Sequence, residues 1–249
     1  MQVINVADRD ALVKQAAADF VALISRVQAG AGLYDDGIAR VVVTGGGAGI
    51  GLLKELRSLD WAAEAQAEDF PIQRVDWSRV HIFFGDERVV PVDHPDSNEG
   101  QAREALLDHV ALNPEWIHSY KLGSLSPKES ALFYGQELEQ WAPKGFDLHL
   151  LGMGGEGHIN SLFPHTAAVR EDAALVVPVF DSPKPPAERV TLTMPAVNSA
   201  SHVWLLVSGA EKAEAASQVI ARSDALDWPA AGAHGTVETR LYLADDARS

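Results

Sequence analysis

The sequence predicts an α/β fold in which a largely parallel sheet is flanked by helices on both faces. Three observations carry that prediction. Short apolar, β-branched runs at residues 39–43, 80–84, 148–151 and 203–207 have the character of strands buried on both faces. Stretches of helical spacing alternate with them, the pattern of crossover units with parallel pairing. The segments GGG, DER, GEGH and SGAEK each come directly after an apolar run, at the carboxyl ends of strands, where open sheets of this kind bind ligands.

Residues 8–27 carry Leu12, Val13, Ala16, Phe20, Leu23, Ile24 and Val27 at helical spacing behind an acidic start, so an amphipathic helix is expected there. Residues 39–43 form a strand, TGGGAGIG at 44–51 a glycine loop, and 52–59 a helix. A second strand at 80–84 ends in GDERVVP and leads to a helix over about 97–110; a third strand at 148–151 is interrupted only by His149. Beyond Pro164 the helical rhythm weakens. Strands are expected at 174–179 and 189–194, separated by the loop SPKPP at 182–186, with a loop at 198–201, a strand at 203–207, a helix at 211–221 and a terminal strand at 240–243. With 249 residues, 47% of them hydrophobic, the chain can bury one large core, so a single domain over 1–249 with a smaller C-terminal lobe is expected.

Charge and composition narrow the function. A net charge of -15, from 20 basic and 35 acidic side chains, argues against nucleic acid, which is bound by neutralising phosphates with Lys and Arg. A small anion stays admissible, because a few cations can build a local positive well on an acidic body. With no cysteine, neither disulfides nor thiolate metal sites can form. The first twenty residues lack a basic start and apolar run, and no segment has the length of a membrane span, so a soluble, cytoplasmic protein without membrane contact is expected. Nine histidines show no HExxH or similar spacing, which predicts no metal; His94, His109, His118, His202 and His234 are expected at the surface or in structural roles. No GxSxG elbow is present, which disfavours covalent serine catalysis.

The most informative stretch is FDLHLLGMGGEGHINSLFP at 146–164, an apolar run ending in a glycine-dense turn that presents Glu156 and His158. An imidazole titrates near neutral pH unaided and can take a proton from water and return it; a mere helix-capping role fits His158 equally well on this stretch alone. TGGGAGIG matches a dehydrogenase nucleotide loop, but no tyrosine has a lysine four residues later, so the motif keeps only its general use: amides of Gly46 and Gly47, with Thr44, at a helix start that suits any phosphate. Asp86, Glu87 and Arg88 stand together at a strand end, where Arg88 either forks onto an anion or closes a local ion-pair cluster. Ser97 and Asn98 fit a helix N-cap. Arg189 opens a strand, and Lys212 sits in a first helical turn, where a cation opposes the dipole. Either an anion lies nearby or the lysine reaches solvent.

VVVTGG at 41–46, FFGDERVVPVDHPDSN at 83–98, the 146–164 stretch, RVTLTMPAVNSA at 189–200 and VSGAEK at 207–212 together resemble the 6-phosphogluconolactonase family, in order along nearly the whole chain. That family is grouped with the glucosamine-6-phosphate deaminases, whose modified Rossmann-like parallel sheet is the fold the resemblance implies. It implies hydrolysis of 6-phospho-D-glucono-1,5-lactone to 6-phosphogluconate, a step of the oxidative pentose phosphate pathway, with neither metal nor organic cofactor. His158 falls on the catalytic histidine of the GxGxDGH pattern. Glu156 stands where that pattern has Asp, one methylene longer. Gly46, Gly47, Ala48 and Gly49 stand where the family commonly has GGST, so a hydroxyl is missing there.

On this resemblance His158 is the base that activates water, Glu156 orients it, and amides of residues 154–157 receive the oxyanion. Arg88, Arg189 and Lys212, with Gly46, Gly47 and Thr44, anchor phosphate, while Asp86, Asn98 and Asn160 meet sugar hydroxyls. The partner is a phosphorylated sugar lactone, and a monomer or weak homo-oligomer is expected. Two rivals stay open: a deaminase or isomerase of amino-sugar phosphates, against which stand INSLFP in place of an FNEP sequence and DER in place of DEY, and a non-enzymatic sugar-phosphate sensor.

Overall fold

The computed structural model describes residues 1–65 and 73–248. β1 (Gln2–Val6) leads into α1 (Arg9–Arg26), which starts as its acidic head predicts: the Asp8 carboxylate accepts from the Ala11 amide at 2.8 Å, an N-cap. Then come β2 (Ala39–Val43), α2 (Gly46–Ala65), β3 (Val80–Phe84), β4 (Asp86–Arg88), α3 (Asn98–Ala105), α4 (Pro127–Trp141) and β5 (Leu148–Gly152). β6 (Val176–Val179), β7 (Arg189–Leu192), α5 (Met194–Asn198), β8 (His202–Val207), α6 (Ala213–Ala221) and β9 (Glu238–Ala244) complete the chain.

Six strands make one sheet in the order β1-β9-β8-β5-β2-β3, every neighbouring pair parallel. The continuous apolar runs of β2 and β3 are buried along their whole length, as expected of strands covered from both sides. His149 in β5 is fully buried too, and burial pushes its pKa down to about 3. The strand order reverses between β2 and β5: β3 lies outward on one side, and β8 and β9 on the other. A crevice opens at such a switch point.

The smaller lobe is a three-stranded antiparallel sheet, β4-β7-β6. It borrows β4 from the middle of the chain, and the last two strands, β8 and β9, return to the main sheet. β4 is short enough to pass in sequence for the tail of β3, yet it pairs with β7, which is about a hundred residues distant.

Several boundaries differ from expectation. α2 begins at Gly46, so most of the glycine motif is helix. A Cβ at Gly49 would stand 2.4 Å from the Thr44 carbonyl oxygen, so the glycine lets the first turn close onto the end of β2. The strand expected to reach residue 194 stops at Leu192, where Met194 and Pro195 open α5, since proline is favourable in a first turn. The helix expected over 97–110 ends at Ala105 and that over 211–221 starts at Ala213, each flanked by a 3-10 turn. α4 has a readable signature that the helical pattern alone did not bring out: Ser126 and Glu129 form a reciprocal capping box ahead of Pro127. His118 is structural, bonded to His81 at 2.8 Å and to Glu137 at 2.7 Å.

Glu87 welds the two sheets' connection to α3. Its carboxylate accepts from the amides of Arg88 (2.9 Å), Asn98 (2.8 Å) and Glu99 (2.8 Å) and from Ser97 Oγ (3.0 Å). Burial nonetheless pushes the carboxyl up to about 6. Glu87→Ala strips four donors of their acceptor, and unmade buried bonds cost about 1–3 kcal/mol each before relaxation. The expected result is a fall in urea midpoint equivalent to at least about 2 kcal/mol at unchanged slope.

Candidate active site

The site is built on the carboxyl ends of β2 and β5. Thr44 comes directly after β2, and its Oγ1 accepts from the Gly152 amide at 3.1 Å, stitching the two strand ends together. Gly45 has room for no side chain, because a Cβ there would meet Asn98 Oδ1 at 2.3 Å. Gly46, with φ +78, turns the chain into α2 and exposes its first amides.

After β5 the chain makes a tight turn. The Gly154 amide donates to the His158 carbonyl and the Gly157 amide to the Gly154 carbonyl, both at 3.0 Å. A Cβ at Gly154 would lie 2.0 Å from His158 Nδ1, so the glycine is what lets the imidazole fold back over its own turn. The ring stacks on Phe163, centroids 4.4 Å apart. Glu156 Oε1 lies 3.2 Å from Nδ1, close enough to attract the ring when it is protonated but off the direction of a hydrogen bond, since Nδ1 is sealed and without a bonded partner while Nε2 is not sealed. Burial lowers the His158 pKa, and the neighbouring Glu156 charge offsets this only in part. Burial alone would raise the Glu156 carboxyl, but a hydrogen bond from Lys184 leads the effects that hold it below its ordinary value.

The small sheet supplies the opposite wall. Asp86 accepts from Ser161 Oγ at 2.6 Å and Asn98 Nδ2 at 3.1 Å, and Arg189 Nη1 stands 3.7 Å away. Arg88 donates to Asn98 Oδ1 at 3.0 Å and the Asp96 carbonyl at 2.8 Å. Arg189 is 5% exposed; its Nε and Nη2 bind the carbonyls of Pro186, Lys184 and Pro185, which leaves Nη1 for the cavity. Lys212 is half-buried; its amide donates to the Gly209 carbonyl at 3.0 Å, its ammonium makes no hydrogen bond or ion pair among the described residues, and burial holds it below the usual lysine range. Asn160, 8% exposed and with φ +47, lies beside the His149 ring but makes no well-formed hydrogen bond with either side-chain polar atom. It fits because Gly85 has no side chain: a Cβ there would stand 2.3 Å from Asn160 Oδ1.

All the expected site residues line one cavity, Thr44, Gly46, Gly47, Asp86, Arg88, Asn98, His158, Asn160, Arg189 and Lys212, with the exception of Glu156, which stands behind the imidazole. Residues 154–157 do not line it, and two of their amides are used inside the turn; Gly152 and Met153 form that part of the wall. The helix-cap role expected of Ser97 and Asn98 falls to Ser97, whose Oγ accepts from the Gly100 amide, and the Asn98 side chain bridges Asp86 and Arg88. Residues not singled out from sequence are Ser161, Phe163 and Lys184, the last in a loop whose partner Glu156 lies 28 residues earlier. Among the described residues no three His, Asp or Glu side chains gather to hold a metal ion, and no helix is long and apolar enough to cross a membrane.

The sequence matches the model of a family described as glucosamine-6-phosphate isomerases/6-phosphogluconolactonase over residues 7–242. It is 46% identical to a 6-phosphogluconolactonase of Mycobacterium leprae over 84% of this chain and 83% of that one. It is 45% identical to a 6-phosphogluconolactonase of Mycobacterium tuberculosis over 96% of this chain and 94% of that one. The fold is similar to the crystal structure of a 6-phosphogluconolactonase from Thermotoga maritima, with a TM-score of 0.82 at 24% identity, covering 98% of this chain and 99% of that one.

The closeness of Gly154 to His158 yields a direct test. Gly154→Ala is expected to drive the ring out of its place over the turn, seen as a changed chemical shift of the His158 ring protons, in a protein that still unfolds cooperatively.

Proposed function

The chain belongs to the glucosamine-6-phosphate isomerase/6-phosphogluconolactonase family, and from that premise we propose that its cleft binds 6-phospho-D-glucono-1,5-lactone by the phosphate and hydrolyses it with water activated by His158. The product is 6-phospho-D-gluconate, and the reaction is the second step of the oxidative pentose phosphate pathway. One observation carries the reading: a Lys212 with an unpaired ammonium, the first turn of α2 and the open Nε2 side of a half-buried imidazole share a single cavity.

Neutral His158 takes a proton from water at Nε2 as the oxygen attacks the lactone carbonyl carbon. A tetrahedral intermediate forms, its ring C–O bond breaks, and the imidazolium returns the proton to the departing ring oxygen. The new carboxylic acid then ionises. Glu156, behind Nδ1, stabilises the imidazolium while it exists. The Gly46 and Gly47 amides, at the positive end of α2, take the phosphate together with Lys212, Arg88 and Arg189 Nη1, which stands 3.7 Å from Asp86; the Thr44 hydroxyl, already an acceptor for Gly152, donates its proton. Asn160, Asp86 and Asn98 face the sugar hydroxyls, a role supported by their place in the wall of the same cavity. Binding energy from the phosphate is thereby spent on orienting the carbonyl. A cytoplasmic location and a monomeric or weakly associating state belong to the same proposal, in keeping with the acidic, cysteine-free composition.

His158→Ala is expected to lower the rate by about a hundred- to ten-thousand-fold, followed as proton release from freshly made lactone above the spontaneous background; turnover near wild type would remove His158 from the reaction. In the native enzyme the acidic limb of kcat/KM should lie below the ordinary histidine value of 6.5, because burial disfavours the imidazolium. Lys212→Ala is expected to weaken 6-phosphogluconate binding by roughly ten- to a hundredfold, the worth of a charged hydrogen bond, measured by calorimetry. An equal loss toward an unphosphorylated lactone would contradict the anchor role.

A further inference from the structure

Lys184 takes no part in the proposed chemical steps, yet it is bound into the site. Its Nζ lies 2.8 Å from Glu156 Oε1 and 3.0 Å from Oε2, so one ammonium spans the whole carboxylate. Oε1 is the same oxygen that lies 3.2 Å from His158 Nδ1. The loop that carries the lysine is held shut. Ser182 donates its amide to the Ala187 carbonyl at 3.0 Å and its Oγ to the Lys184 carbonyl at 2.9 Å. Arg189, whose Nη1 reaches the cavity, binds the same Lys184 carbonyl at 3.1 Å.

We propose that Lys184 is a positioning residue that fixes the Glu156 carboxylate behind His158 and offsets its charge, so that the imidazole stays neutral until it takes the proton from water. The inference rests on His158 being the base. An uncompensated carboxylate beside a buried imidazole favours imidazolium, and an imidazole already protonated cannot deprotonate water. A lysine on the far side of the carboxylate removes part of that pull and still leaves the acid in place for the imidazolium once it forms. The charged groups facing His158 are Glu156 from its own turn, Lys184 from the 182–186 loop and Asp86 from β4. Arg189 lies beyond, 5.7 Å over the Phe163 ring on which the imidazole stacks. Of these two cations, Lys184 is the one paired to Glu156. Its side chain is 46% exposed, so water and salt screen it and its effect is a fraction of that of a buried charge.

The experiment compares Lys184→Met and Lys184→Arg with the native enzyme in two measurements. One is the pH dependence of kcat/KM on 6-phosphogluconolactone; the other is an NMR titration of the His158 ring protons in the substrate-free protein. In Lys184→Met the acidic limb and the ring titration should both rise by about half a unit to one unit. At pH values below the limb, kcat/KM should then fall about three- to tenfold, carried by kcat with KM near native, and Lys184→Arg should restore both. An unshifted limb with an unshifted ring titration overturns the proposal. So does a loss confined to KM, or one that arginine does not restore. His158→Ala run alongside separates the two levels: activity surviving there sinks the base itself, whereas an inactive His158→Ala with an unshifted Lys184→Met sinks only the role of the lysine.

Discussion

The whole site hangs on the parallel pairing of β2 with β5, two strands separated in sequence by more than a hundred residues and by an entire excursion through β3, α3 and α4. Where they end side by side, the Gly152 amide bonds the Thr44 hydroxyl, and two glycine turns leave the sheet in different directions. One becomes the start of α2, whose first residues line the cavity. The other folds back to set an imidazole over its own glycines. Neither turn would make a binding site alone, because a helix start without a base holds phosphate idly and a base without an anchor has nothing to act on.

A second constraint comes from the small sheet. β4 is three residues long and holds on to β7 by antiparallel pairing, which brings Asp86 and Arg88 over the switch point. Glu87, between them, faces away and binds the start of α3, so consecutive side chains of one strand serve the cavity and the scaffold in alternation, as a pleated strand dictates. Gly85, at the hinge between β3 and β4, leaves the space that Asn160 fills.

Electrostatics follow the same division. The chain carries a net charge of -15, yet the cleft gathers Arg88, Arg189 and Lys212. Two of these cations are partly committed: Arg189 braces the 182–186 loop and Arg88 holds Asn98. Lys212, the third, keeps its ammonium free of any partner among the described residues. A positive well inside an acidic body attracts small anions and disfavours polyanions, whose many phosphates would meet the surrounding acids.

Much of this was legible in the chain itself. Buried runs such as ARVVV and VHIFF read as strands of a sheet covered on both faces, Asp8 and the residues after it read as a helix start, and the glycine-dense stretch that carries Glu156 and His158 reads as a turn at a strand end, because those patterns express local sterics and periodicity. The resemblance in five ordered blocks extended that to ten of the residues that line the cavity. The fold alone decided that Glu156 stands behind the His158 ring instead of lining the cavity, that Lys184 reaches it, that Arg189 divides itself between loop and cleft, and that β4 belongs to a different sheet from β3. Each of those depends on which distant backbones lie within a few ångströms of one another, and such proximity is set by packing of the whole core, which no local stretch of residues encodes.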